Sequence, residues 1–463
     1  MQADSRKIIS ENIVADRSKL KIICVFLHRI YFGRIPYERQ YRGKKRKAMN
    51  ITELQQSYAS HPNVEGVCRL LKDNSVRHLY CGGLYASAAS LFSSVLVQRA
   101  TCPLVFILGD MEEAGYFYHD LTQILGTEQV LFFPSSFRRA IKYGQKDAAN
   151  EILRTEVLSR LQKGEEGLCV VTYPDALAEK VVSRKELGEN TLKLHAGERV
   201  DMNFVTDVLR SYGFEYVDYV YEPGQYAVRG SIIDVFSFSS EYPFRIDFFG
   251  DEVESVRTFE VETQLSKEKK ESIVIVPDLS HSLEKKGSGG MVSFLDFLPS
   301  DSLLAMRDFL WLRERIQTVH DESLTPQAIA ARESEENGAI TLEGKLIDGG
   351  EFTLRALDFR RMEFGNKPTG TPDATVSFHT TVQPIFHKNF DMVAESFREY
   401  LSRHYTIYIC SDSLKQTDRI RAIFEDRGDN ISFTAVERTL HEGFADDTLR
   451  ICVFTDHQLF DRF

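Results

Sequence analysis

The sequence predicts an α/β multidomain protein: a parallel α/β domain, an α+β domain inserted into it, and a second small α/β domain at the C-terminal end. Three observations lead there. Apolar runs of strand length alternate with helical stretches over residues 49–190, which implies a parallel sheet covered on both faces. From 191 to 277 the texture changes to alternating strands separated by turn signals. Beyond KPTGTPDAT (367–375), a stretch of linker composition, helix and strand alternate again to the end. A chain of 463 residues accommodates three or four domains of about 100–200 residues each.

Residues 1–48 stand apart. They carry a surplus of nine positive charges in a chain of net charge −11, so the remainder is strongly acidic. An apolar run, IICVFLHRIYF, precedes RGKKRK, and no small-residue cleavage site follows it, which does not fit a signal peptide. The expectation is an accessory or disordered extension, or a mis-called reading frame with Met49 as the natural start. An acidic body argues against a broad DNA-binding surface. No apolar run approaches the roughly 20 residues that span a bilayer, so no membrane partner is expected. Seven scattered cysteines without a CxxC pair fit a reducing cytoplasm and neither a zinc site nor a disulfide framework.

The elements follow in order. Residues 51–72 read as helix. HLYCGGLYASAASLFSSVLVQ reads as a strand, a glycine turn and a small-residue helix. LVFIL (104–108) is a strand, and GDMEEAGYFYHDLTQILG is a helix closed by Gly126. VLFFP (130–134) is a strand. The helix over 146–164 places Ile152, Leu153, Val157 and Leu161 inward. LCVVTY (168–173) is the next strand, with a short helix from Pro174. In the inserted region, VDMNFVTDVLRSYGF is a helix with Phe204, Val208 and Leu209 as core candidates, and strands follow. Residues 278–370 mix helix and strand, with a polar connection around LEKKGSGG. In 376–463, helices NFDMVAESFREYLSRHY and DSLKQTDRIRAIFEDRG alternate with strands TIYICS, ISFTAV and LRICVFTD.

The turn after the first strand has the position of a phosphate loop, GxxxxGK[ST], and lacks its chemistry. Gly83 is followed by Ala88 at the second glycine, Ala89 at the lysine and Ser90 at the hydroxyl. The lysine supplies the charge and glycine the backbone freedom, so the domain is P-loop-like with a degenerate, non-functional nucleotide loop. No acidic metal-binding box ends a strand, no GxSxG elbow occurs, and His441-Glu442 lacks a second zinc-protease histidine. No catalytic and no metal-ligating residues are expected.

In PFRIDFFGDE the side chains alternate. Phe244, Ile246 and Phe248 suit a core, while Arg245, Asp247 and Phe249 share the other face. Gly250-Asp251 is a hairpin turn, and VESVRTFE returns. QYAVRGSIIDVF reads as one strand bringing Arg229 beside Gly230, a glycine marking a bulge or a close backbone approach. Two arginines with an exposed phenylalanine have the composition of a protein-binding hot spot. The plainer alternative pairs Arg245 with Asp247 or Glu252 and covers Phe249 with residues 191–215.

EPGQYAVRGSIIDVF…PFRIDFFGDEVESVRTFEVETQLS closely resembles the second domain shared by the excision-repair protein UvrB and the transcription-repair coupling factor family. The GLYASAAS loop is of the coupling-factor kind, since UvrB keeps an intact P-loop lysine. The similarity runs from about residue 50 to the end, strongest at 220–266 and weakest at 278–370. It implies these boundaries: 49–190 and 278–370 as two parts of a UvrB-like domain, 191–277 as a UvrA-binding domain, and 376–463 as the segment before the polymerase-binding domain.

By the same resemblance Arg229, Arg245 and Phe249 take the family's UvrA-contacting positions. The implied function is recruitment of UvrA to a stalled RNA polymerase by UvrB mimicry. RNA polymerase and DNA would be engaged through C-terminal domains outside this chain. ATP and magnesium would belong to those motor domains, with no cofactor in this segment. An ATP-dependent helicase or nuclease domain with a divergent loop is the alternative.

Overall fold

The structure, a computed structural model, describes residues 48–136, 148–278, 290–323 and 344–460. Nearly all of the 1–48 extension and most of LEKKGSGG lie outside them.

Apolar strands buried on both faces need helices above and below, and the first sheet supplies this arrangement. Its seven strands run in the order Ala374–Ser377, His78–Gly82, Arg360–Glu363, Leu303–Met306, Leu104–Ile107, Cys169–Thr172, Val130–Phe133. Every neighbouring pair is parallel. Strands from before and after the insertion therefore interleave in one sheet. The second six-stranded sheet orders Met49–Asn50, Thr434–Glu437, Thr406–Ser411, Ile451–Thr455, Phe444–Asp446 and Thr380–Val382. Met49–Asn50 pairs in parallel with Val436–Glu437, so the start of the described chain closes the edge of the C-terminal sheet.

The insertion leaves and returns through an antiparallel ribbon, Leu192–His195 against Ser272–Ile275. Between these lies a six-stranded sheet: Ser266–Lys270, Glu252–Phe259, Phe244–Phe249, Ile232–Val235, Gln225–Arg229, Glu215–Tyr216. One face packs on the Met202–Ser211 helix through Val205, Leu209, Ile233, Ile246, Phe248 and Val256.

Five expectations are corrected. The 51–72 helix is two helices, Ile51–Ala59 and Pro62–Leu70. Pro62 has no N–H to donate back into the first helix, and it opens the second at a position where none is needed. Phe204 is exposed and Val208 half-buried, while Val205 and Leu209 face the core. Both pairs are four residues apart, so helical spacing alone admits either phase. Ile152 and Leu153 are only half-buried, whereas Arg154 is buried. Its Nη1 donates to the Pro134 carbonyl at 2.7 Å and lies 3.3 Å from Glu179 Oε2. QYAVRGSIIDVF is a hairpin, Gln225–Arg229 and Ile232–Val235, turning at Gly230-Ser231. Gly230 takes φ +62° as the first turn residue, and no neighbour approaches it. Lastly, 367–375 is tied down: the Asp373 carboxylate accepts from the Arg77 and His78 amides at 2.8 Å, and the chain then enters the first sheet.

Candidate protein-docking face and the closed nucleotide loop

The outer face of the inserted sheet is built by register. Arg229, Asp234, Arg245 and Phe249 all point away from the core, because Asp234 lies opposite Arg245 and Ala227, and period-two alternation does the rest. The Phe244–Phe249 strand alternates buried and less buried positions throughout and ends at Phe249, 79% exposed. The two-residue Gly250-Asp251 turn holds that ring at the hairpin tip, with Gly250 at φ +63°. A register shift between Asp247 and Phe248 sharpens the local twist.

At the centre of this face sits Asp234, whose side chain is fully buried. Arg245 grips it with two bonds, Nε to Oδ1 at 2.7 Å and Nη2 to Oδ2 at 2.9 Å. The third Arg245 nitrogen, Nη1, donates to the Gln264 carbonyl at 3.1 Å, and the guanidinium lies 4.5 Å from the centre of the buried Phe259 ring. Arg245 is thus 15% exposed, and its bond to Asp234 raises its already high pKa. Arg229 reaches Asp234 through Nη2, lies 4.9 Å from the centre of the Tyr219 ring, and is 35% exposed. Asp247 is taken by Arg257 and by the Ser255 hydroxyl. The structure therefore corrects the plainer alternative on both counts: Arg245 pairs with Asp234, and Phe249 is uncovered.

Sequence reasoning missed Asp234 and Tyr219. Once the Gly230-Ser231 turn is placed, cross-strand pairing would have put a carboxylate opposite Arg245. Tyr219 sits in an irregular segment that no periodicity marks.

The phosphate-loop position is occupied by the chain itself. Gly83 takes φ +75°, and any Cβ there would collide with the Phe378 carbonyl oxygen. Thr380 binds the loop twice, accepting from the Tyr85 amide at 2.9 Å and donating to the Gly83 carbonyl at 2.7 Å. The amides that would cradle a phosphate at the start of the Ser87–Arg99 helix are spent internally. Ala88 and Ala89 bond back to the Tyr85 and Ala86 carbonyls, and the Ser87 amide turns to the Glu442 carbonyl. The Glu442 amide returns a bond to Ser87 Oγ at 3.0 Å.

Ser90, the hydroxyl candidate, is buried and donates to Asp120 Oδ2 at 2.9 Å, while Asp120 Oδ1 accepts from the His441 amide at 2.7 Å. His441 stacks on Tyr116, with ring centres 3.6 Å apart. The remaining cavity, about 330 Å³, is bordered by Asp110, Glu112, Glu113, Asp120 and Glu442. Its Arg307 is paired to Glu113 at 2.7 Å. Burial pushes the Asp120 carboxyl above its ordinary range.

Among the described residues no helix is long and apolar enough to cross a membrane.

Comparison with known proteins finds likenesses in the inserted region and across most of the chain. A family profile described as the UvrB interaction domain matches residues 192–281. The transcription-repair-coupling factor of Bacillus subtilis (strain 168) is 21% identical over 456 residues, covering 82% of this chain and 38% of that protein. The one from Staphylococcus aureus (strain RF122) is 22% identical over 442 residues with the same coverage, and that of Escherichia coli K12 is 29% identical over 198 residues, 42% of this chain and 17% of its own length. The chain therefore spans less than two fifths of the length of these relatives. This chain is thus similar to transcription-repair-coupling factors over most of its length, and its residues 192–281 match the UvrB interaction domain profile.

Proposed function

We propose that this chain recruits UvrA for transcription-coupled excision repair, presenting a UvrB-like surface on behalf of a protein that engages stalled RNA polymerase and DNA elsewhere. The observation that carries this reading is Phe249, 79% exposed at the tip of a hairpin beside two arginines, within the region matched as a UvrB interaction domain. An apolar ring held in water on a well-packed sheet gains most when a partner covers it. The test is an equilibrium titration of UvrA against the wild-type chain and Phe249→Ala, Arg229→Ala and Arg245→Ala. Binding is expected for wild type and weakened in all three. Unchanged affinity throughout overturns the reading.

The segment acts without its own ATPase. Three features support this: alanine where the phosphate-binding lysine belongs, helix-terminal amides already bonded, and a cavity rimmed by carboxylates that repel phosphate. Titration with magnesium-ATP should give no saturable signal. Saturable binding would favour the alternative, a motor-type domain with a divergent loop.

A further inference from the structure

We infer that Asp234 and Arg245 act as a positioning pair that aims Arg229, and that Arg229 with Tyr219 and Phe249 forms the contacting surface for an acid-bearing patch of UvrA. This rests on the UvrA reading above and divides the labour within it. All three Arg245 nitrogens donate inward, to Asp234 and to the Gln264 carbonyl, and its flat face lies over buried Phe259. Little of its fork remains for a partner. Arg229 spends Nη2 on the same carboxylate and stays twice as exposed.

One buried carboxylate between two guanidiniums leaves the trio with a single net positive charge, and the exposed share of it belongs to Arg229. A guanidinium fork fixed on one side by a carboxylate and on one face by a ring loses little freedom on docking, and its free edge suits a carboxylate bidentately. Tyr219, half exposed, supplies the ring under Arg229 and apolar area next to it. Phe249 lies on the same face, and the Phe248 amide bonds to the Ser231 carbonyl beside Arg229's turn, which ties the two hairpin tips together.

The experiment is a UvrA titration of the full chain with Phe249→Ala as reference, alongside Asp234→Asn, Arg245→Ala, the Asp234→Asn/Arg245→Ala double variant and Tyr219→Ala, each with a thermal melt. Phe249→Ala is expected to weaken binding about thirtyfold. Asp234→Asn should weaken it about tenfold at temperatures where the chain is fully folded. The double variant should bind no worse than Asp234→Asn alone, because Arg245 acts on Arg229 only through that carboxylate. Tyr219→Ala should cost three- to tenfold without moving the melt.

Wild-type affinity in Asp234→Asn with a weakened Phe249→Ala overturns the positioning role and leaves UvrA recruitment standing. Multiplicative losses in the double variant do the same. Unchanged binding in Phe249→Ala, Arg229→Ala and Arg245→Ala together defeats UvrA recruitment itself. Where Asp234→Asn does not fold, Tyr219→Ala decides: wild-type affinity there overturns the proposal.

Discussion

Two regions of the molecule are organised around a buried carboxylate, and they end in opposite states. Asp120 sits beneath the loop at Gly83, and the bonds it receives come from the chain itself, including the His441 amide in the connection before the Phe444–Asp446 strand. Asp234 sits beneath the outer face of the inserted sheet, and its partners are two arginines of which one reaches solvent. The first region is a contact between distant parts of the chain, with Glu442 and His441 bonded to Ser87 and Asp120. The second uses the same desolvated charge to hold cations ready at a surface. A buried carboxylate is costly unless it is fully bonded, so what matters functionally is which way its partners face.

That comparison can be broken at several points. Arg245→Ala removes the bidentate partner of a fully buried carboxylate and should lower the stability of the inserted domain by about 3 kcal/mol, read by denaturant unfolding. An unchanged midpoint would mean that Asp234 is not the organiser described. Gly83→Ala strikes the closed loop, where a positive φ coincides with a steric block by Phe378, and should cost about 2 kcal/mol or more. A freely tolerated alanine would show the loop to be looser than its contacts with Phe378 and Thr380 require.

Phe249→Ala should leave the melting temperature unchanged while weakening UvrA binding by about 2 kcal/mol. A destabilised variant would imply that the ring packs within the chain.

The smallest effect concerns pH. Burial raises the folded-state pKa of Asp120 above its unfolded value near 4, so ionising it opposes folding as pH rises through that interval, and the penalty is absent below it. Asp120→Asn cannot ionise. Its melting temperature relative to wild type should therefore be more favourable at pH 8 than at pH 4, by a difference worth about 1 kcal/mol or less. A constant difference across that range would remove desolvation as the dominant influence.

Much of the fold was legible because its signals are local. Continuous apolar runs of strand length became the central strands of a parallel sheet, and Gly126 closed its helix at φ +82°. The alternation in PFRIDFF correctly separated the buried from the outward side chains. Readings failed where two local patterns were equally allowed: the phase of the Met202–Ser211 helix, or Gly230 as a strand glycine against a hairpin turn. In the candidate site, Arg229, Arg245 and Phe249 were visible on one face, whereas Asp234 and Tyr219, which set the exposure of the two arginines, were not.

By itself the sequence determined which residues could face outward, because side-chain direction along a strand follows a period of two and requires no knowledge of neighbours. It also determined that the phosphate loop lacked its lysine. Only the tertiary structure decided that the loop is bonded to Glu442 and Thr380, and that Arg245 turns inward while Phe249 stays bare. Those outcomes depend on atoms hundreds of residues away in one case and across a sheet register in the other, and distance-dependent packing and desolvation leave no periodic trace in the chain.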